Sequence, residues 1–172
     1  MWWLWPLVII AGLFGLVVFR GAPYVPSRKR ELATALDQLY PLTTSDTLVD
    51  IGSGDGIVLR EAAHRGARAI GYELNPILVF ISRILSRSNP LISTHLADFW
   101  MVHLPEETTV VYVFGESRDI TKMAKKVEQE AIRLAKPLSF ISYGFAVPGK
   151  TPTKKAGAYY LYQFAALHTG EA

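Results

Sequence analysis

Apolar and polar residues are distributed along this chain in three regimes. From Met1 to Phe19 the run "MWWLWPLVIIAGLFGLVVF" carries no charge and is apolar on every side of any helix drawn through it. From about residue 27 the pattern changes to helix-like and strand-like stretches in alternation. "SRKRELATALDQLYP" reads as a helix capped by Ser27 and stopped before Pro41. "TLVDIG" then reads as a buried strand, "DGIVLREAAHRG" as a helix closed by Gly66, and "ARAIGYE" as a second strand. "NPILVFISRILSRSN" predicts a helix with Asn75 as cap, Pro76 in the first turn, and Arg83 and Arg87 on a polar side. "LISTHLADF" gives a third strand, "TTVVYVFGE" a fourth, "SRDITKMAKKVEQEAIRLA" a helix and "LSFISYGFAV" a fifth strand.

Strand alternating with helix implies parallel pairing through right-handed crossovers, hence an α/β three-layer sandwich. The last stretch, "PGKTPTKKAGAYYLYQFAAL", breaks the alternation: turn-rich residues lead into an aromatic strand with no room for another crossover helix, so an antiparallel strand closes one edge. The organisation expected is a membrane anchor over 1–20, a connector and lead-in helix over 21–41, and one ligand-binding domain over 42–172.

The anchor assignment rests on the flanks of the first run. About 19 uncharged residues suffice to cross a hydrocarbon core of about 30 Å. Trp2, Trp3 and Trp5 suit one interface, and Arg20, Arg28, Lys29 and Arg30 follow the other end, which predicts a single-pass protein with its domain on the cytoplasmic side. A cleaved signal peptide would need positive charge before the run, and none is there. A buried core helix is the alternative. Setting those four basic residues aside, Lys and Arg nearly balance Asp and Glu, so the chain's net charge of +3 points to anionic lipid headgroups and away from nucleic acid. The absence of cysteine excludes disulfides, thiolate metal sites and a cysteine nucleophile, and the four scattered histidines show no metal-binding spacing.

In an open α/β sheet the ligand sits beyond the carboxyl ends of the strands, where the strand order switches. Those ends carry Asp50 with the loop "GSGDG", then Glu73, then Asp98 with Phe99 and Trp100, then Phe114, Gly115 and Glu116. The loop is not a P-loop, because no lysine follows it as G-x-x-x-x-G-K-[ST] requires. It also departs from the dinucleotide fingerprint, its third glycine coming one residue early. Asp50 and Asp55 would repel a pyrophosphate yet suit a ligand that is cationic at one end. Glu73, about 20 residues beyond the loop, is placed for a ribose diol. Asp98 can accept from an adenine amino group while Phe99 or Trp100 packs on the ring. Together these features point to an unphosphorylated nucleoside with a positive centre, S-adenosylmethionine.

The motifs "VDIGSGDG", "GYELNP" and "ADFW" resemble those of class I, Rossmann-like, S-adenosylmethionine-dependent methyltransferases. With "YVPS" upstream, the chain is most similar to the small protein-lysine methyltransferases: the single-domain archaeal ones, and the membrane-anchored mitochondrial ones that modify the adenine nucleotide translocase and the ATP synthase c-subunit. The resemblance implies that Asp50, Gly52, Ser53 and Gly54 border the methionine part of the cofactor, that Glu73, Leu74 and Asn75 lie along its ribose side, and that Asp98 with Phe99 frames adenine. Tyr24 would cover it. It further implies a protein-lysine substrate, no metal and no nucleic acid. Two departures stand out: Ile57 replaces the arginine of many relatives, and "FGES" ends the fourth strand where amino-directed enzymes acting on nucleic acids or glutamine have Asn/Asp-Pro-Pro-aromatic.

For methyl transfer to a lysine, Phe114, Tyr143 and Phe145 are candidate walls of the acceptor channel, and Glu116 could accept the amine's proton. Methylation of a lipid or other hydrophobic small molecule, or a non-catalytic cofactor-binding membrane module, are the competing readings.

Overall fold

In a computed structural model of the chain, the described residues are 2–5, 29–114 and 119–166. The residues assigned to the anchor fall mostly outside them, as do Ser27, Tyr24 and Glu116. Among the described residues no helix is long and apolar enough to cross a membrane.

Among the described residues seven strands form one sheet: β1 (Thr47–Ile51), β2 (Arg68–Glu73), β3 (Ile92–Leu96), β4 (Val110–Phe114), β5 (Leu138–Tyr143), β6 (Lys154–Ala156) and β7 (Tyr159–Phe164). Their spatial order is β3-β2-β1-β4-β5-β7-β6. The first five are parallel, and β7 runs antiparallel to both neighbours. The helices are α1 (Lys29–Leu39), α2 (Ile57–His64), α3 (Pro76–Ser86) and α4 (Ile120–Arg133).

Central strands are covered on both sides, so their apolar residues split by parity. Leu48, Val110, Tyr112 and Ile141 join Leu32 and Leu36 of α1 and Leu59 and Ala62 of α2 in one core. Val49, Ile51, Val111, Val113 and Phe140 join Ile120, Ala124 and Val127 of α4 in the other. The third helix lies beside α2, where its Ser82 hydroxyl shares a 2.8 Å hydrogen bond with Thr94 of β3. Arg65, just beyond α2, fastens the lead-in helix by donating to Asp37 (2.8 Å) and to the Ala33 carbonyl (3.0 Å), while it also pairs with the buried Glu61.

Three details differ from the sequence reading. The third strand stops at Leu96, because the Asp98 carboxylate accepts from the Trp100 amide and turns the chain into a short 3-10 segment, Phe99–Met101. The closing edge is a hairpin of two strands, since "KKA" pairs with β7 through its backbone although it has no apolar pattern. The charged α4, whose sequence reads only as a helix, buries Glu130. Burial alone would raise that carboxyl, but hydrogen bonds from Arg133, His103 and the Leu104 amide hold it below its ordinary value.

One contact couples the sheet to the loop that follows β1. A methyl group on Gly71, in β2, would stand 2.5 Å from Ser53 Oγ and 2.7 Å from Leu59 Cδ1. Gly71→Ala is therefore expected to push the loop and α2 off the sheet and to destabilise the chain by about 1–3 kcal/mol. Thermal unfolding should register roughly 2–4 °C of lost Tm for each kcal/mol.

Candidate active site

The chain leaves β1 at Ile51 and stays attached to β2 for two more residues, since the Gly52 and Ser53 amides both donate to the Tyr72 carbonyl (2.9 and 3.2 Å). It then turns sharply, with Gly52, Gly54 and Gly56 all at positive φ. Among the described residues, a side chain on Gly52 would meet no atom within 4 Å. Gly56 is different: a Cβ would stand 2.3 Å from Ser82 Oγ, and only hydrogen lets the start of α2 approach α3 this closely. Ser53 is buried, its hydroxyl without a hydrogen-bond partner among the described residues.

Glu73 holds this loop in place. One carboxylate oxygen accepts from the Gly54 amide (2.9 Å) and the other from the Asn75 amide (2.8 Å). Asn75 is buried and caps α3, its Oδ1 accepting from Ile77 (2.9 Å) and Leu78 (3.4 Å), with Pro76 in the first turn as the pattern predicts. Leu74, between them, is exposed.

Asp50 is buried at the end of β1. Burial pushes its carboxyl well above the ordinary carboxylate range, and the charges of Glu73 and Asp55 add to the effect. Asp55 plays a different part from the one expected. Its carboxylate accepts from the Ile57 amide (3.1 Å) and pairs with Arg60 (3.2 Å), which also donates to the Asp55 carbonyl. Its charge is thereby paired with the Arg60 guanidinium from the first turn of α2.

At the end of β3, Asp98 uses one oxygen to cap the 3-10 turn. Phe99 is 5% exposed and lies in the α4-side core beneath the Lys126 ammonium (5.0 Å), whereas Trp100 is 42% exposed. Trp100 is thus the accessible ring at this strand end. Lys126 donates to the Trp100 and Val102 carbonyls and fixes the turn from below.

Phe114 ends β4, which borders the switch in strand order between β1 and β4, and it sits in register with Tyr143 of β5, their ring centroids 5.1 Å apart. Tyr143 also stacks on Tyr159 of β7 (4.4 Å, 25°). Burial, with the neighbouring Tyr143 and Glu31, pushes the Tyr159 hydroxyl up to about 12. Phe145 is exposed just beyond, its carbonyl accepting from the buried Ser142 hydroxyl (2.6 Å). Sequence reasoning missed Tyr159 and Arg60. The antiparallel register of β7 brings the first to Tyr143, and the one-turn spacing from Asp55 brings the second back to the loop. Among the described residues no cluster of three or more His, Cys, Asp or Glu could hold a metal ion.

Residues 50–154 match the ANTKMT methyltransferase domain. The chain belongs to this family. It is 33% identical over 138 residues to the human lysine N-methyltransferase of the ATP synthase c-subunit, a match that takes in 78% of this chain and 57% of the relative. It is 32% identical over 105 residues to the mouse adenine nucleotide translocase lysine N-methyltransferase, covering 59% of this chain and 45% of the relative. The chain thus spans about half the length of these curated relatives. In fold it is similar to the crystal structure of an RNA methyltransferase from Salinibacter ruber in complex with S-adenosyl-L-homocysteine, with a TM-score of 0.73, 23% identity, and 82% and 94% of the two chains covered. The architecture of this ANTKMT-family chain is accordingly the Rossmann-like methyltransferase fold, mostly parallel with antiparallel edge strands.

The buried Asp50 predicts a pH effect on the family member in its free state. Its folded value lies above its unfolded one, so it costs nothing below the ordinary carboxylate range. The cost grows as pH climbs from there toward the raised value. Asp50→Asn is expected to raise Tm at pH 7 and to leave it unchanged at pH 3, as read by thermal unfolding at the two pH values.

Proposed function

We propose that this family member is an S-adenosylmethionine-dependent protein-lysine N-methyltransferase, held at a membrane by residues 1–20 with its catalytic domain on the cytoplasmic side. The observation that carries the reading is the Glu73 carboxylate bridging the Gly54 and Asn75 amides beside Gly52. Family membership over residues 50–154 and the names of the two lysine N-methyltransferase relatives support it.

The residues present fit the cofactor. Among the described residues, no atom lies within 4 Å of where a Gly52 side chain would stand, the buried Ser53 hydroxyl has no hydrogen-bond partner, and no cation lowers the buried Asp50 carboxyl. Asp50, Gly52, Ser53 and Gly54 would line the aminocarboxypropyl and sulfonium part. Glu73 retains a lone pair on each oxygen for the ribose hydroxyls, with Leu74 and Asn75 beside it. Asp98 has a free oxygen for the adenine amino group, with Phe99 below and Trp100 as the ring that can close over the base. Tyr24 would cover the cofactor. When bound, S-adenosylmethionine supplies an electrophilic methyl group on a positively charged sulfur.

The protein's part in the transfer is alignment and proton removal. An ε-amine enters as ammonium with an ordinary pKa of about 10.4 and must be neutral to attack. Phe114 beside the switch point, with Tyr143 on the next strand and Phe145 beyond it, would form an apolar approach that disfavours the charged form. Glu116, shortly after the end of β4, would accept the proton. No metal enters this scheme, and the carboxylates around the loop disfavour a polyanionic nucleic acid.

Incubating the full chain with membranes and S-adenosylmethionine labelled in the methyl group tests the proposal. Label is expected in protein, recovered as methyl-lysine after hydrolysis. Label confined to the lipid extract would replace the protein substrate with a lipid or other hydrophobic one, and no S-adenosylhomocysteine with any acceptor would leave a binding module. Glu73→Ala is expected to weaken cofactor binding by roughly 10–100-fold, the range of one to two hydrogen bonds to a charged group, measured by calorimetry. Tyr143→Ala should instead raise KM for the acceptor and leave cofactor affinity near its original value.

A further inference from the structure

The amphipathic character of α3 is reversed. A helix on a sheet ordinarily turns its apolar side inward and its polar side to water. This one buries Val79 with Ser82 and Ser86, and Ser82 bonds Thr94 of the edge strand. Its outward face instead carries Phe80, Ile81, Ile84 and Leu85, exposed by 64%, 37%, 43% and 54%. At helical spacing these positions form one continuous stripe. Arg83 and Arg87 lie along one flank of it, and from Leu74 to Ala97 the chain has no acidic residue. At the end of the sheet from which α3 departs, Leu74 and Leu96 are exposed too, so the apolar surface reaches the rim of the candidate site.

We infer that the outward face of α3 docks into the interfacial layer of an anionic lipid bilayer and turns the carboxyl ends of the strands toward it. The chemistry fits such a surface from both sides: an apolar stripe that enters the acyl boundary, and an acid-free flank where Arg87 meets lipid phosphates, joined by the Arg83 donors that are not spent on the Thr94 carbonyl (3.0 and 2.8 Å). The sequence also supplies the means of presentation. The uncharged run ends at Phe19 and only nine residues, 20–28, separate it from α1 at Lys29, a tether of about 30 Å when fully extended. The lead-in helix packs on α2, and α2 lies against α3, so all three occupy the same face of the sheet. Docking of this face would bring a membrane-embedded or membrane-adjacent acceptor next to the site. The inference rests on the anchoring part of the function proposed above.

The chain has no cysteine, which allows single probes to be placed without background. The full-length variants Phe80→Cys, Leu85→Cys and, as a control on the opposite layer, Glu128→Cys are labelled with a polarity-sensitive fluorophore. They are then reconstituted into phosphatidylcholine–phosphatidylglycerol vesicles containing a nitroxide lipid near the headgroup. All three side chains reach solvent, and unfolding curves matching the parent chain verify that each variant folds. The expected result is a blue-shifted probe quenched several-fold more at 80 and 85 than at 128, unchanged in nanodiscs that hold one chain each. A chain that floats with the vesicles yet is quenched equally weakly at all three positions overturns docking while the anchor stands. A blue shift at 80 and 85 without lipid quenching also overturns it, because the face is then covered by a second copy or by residues 1–28. A chain that does not float removes the anchor and the docking together.

Discussion

The Glu73 carboxylate is the joint on which this site depends. It lies at the end of a strand, and its two oxygens receive amides from opposite directions, Gly54 from the loop after β1 and Asn75 from the start of α3. A charged acceptor between two backbone donors is worth more than either neutral bond alone. The two segments it joins would otherwise be separate loops at neighbouring strand ends. Its negative charge also contributes to keeping the buried Asp50 from ionising freely. One residue thus sets the shape of the loop and the electrostatic state of the group behind it.

Around that joint, each strand end is secured by the layer beneath it. Gly71 lets Ser53 and Leu59 settle against β2, and Gly56 lets α2 approach α3. Lys126 grips the turn after β3 through two carbonyls, and Glu130 holds the following residues through the Leu104 amide. The aromatic rings of Phe114, Tyr143 and Tyr159 form a wall across three adjacent strands, two parallel and one antiparallel. The strand ends are in this way tied to the packed core by specific polar and aromatic contacts.

Much of the parallel half of the fold is legible in the sequence because its strands are buried on both faces and its helices keep a clear period. Asn75 and Pro76 announce the start of α3, and they do so through local chemistry that needs no tertiary context. The hairpin strand "KKA" is not legible, since its strand character comes from pairing with β7 and not from its side chains. The end of β3 is overextended in the sequence reading because the alternation of "ADF" conceals a side chain that caps the next turn. At the site, Glu73 is recognisable from its distance to the glycines. The compensation of Asp55 is not, because it depends on Arg60 reaching back one turn of helix. Nor can alternation decide between Phe99 and Trp100; the core claims the first and leaves the second at the surface.

The outermost strand carries a further consequence. Lys154 and Lys155 stand on a segment of only three residues, both exposed, with the Lys155 ammonium over the Tyr160 ring. An unpaired β-edge is a template onto which another molecule can add, and short length combined with like charge opposes that addition. Two such edges meeting would bring four ammonium groups together. The far border of the sheet is in this way a guard against self-assembly into extended aggregates, a hazard that rises with local crowding.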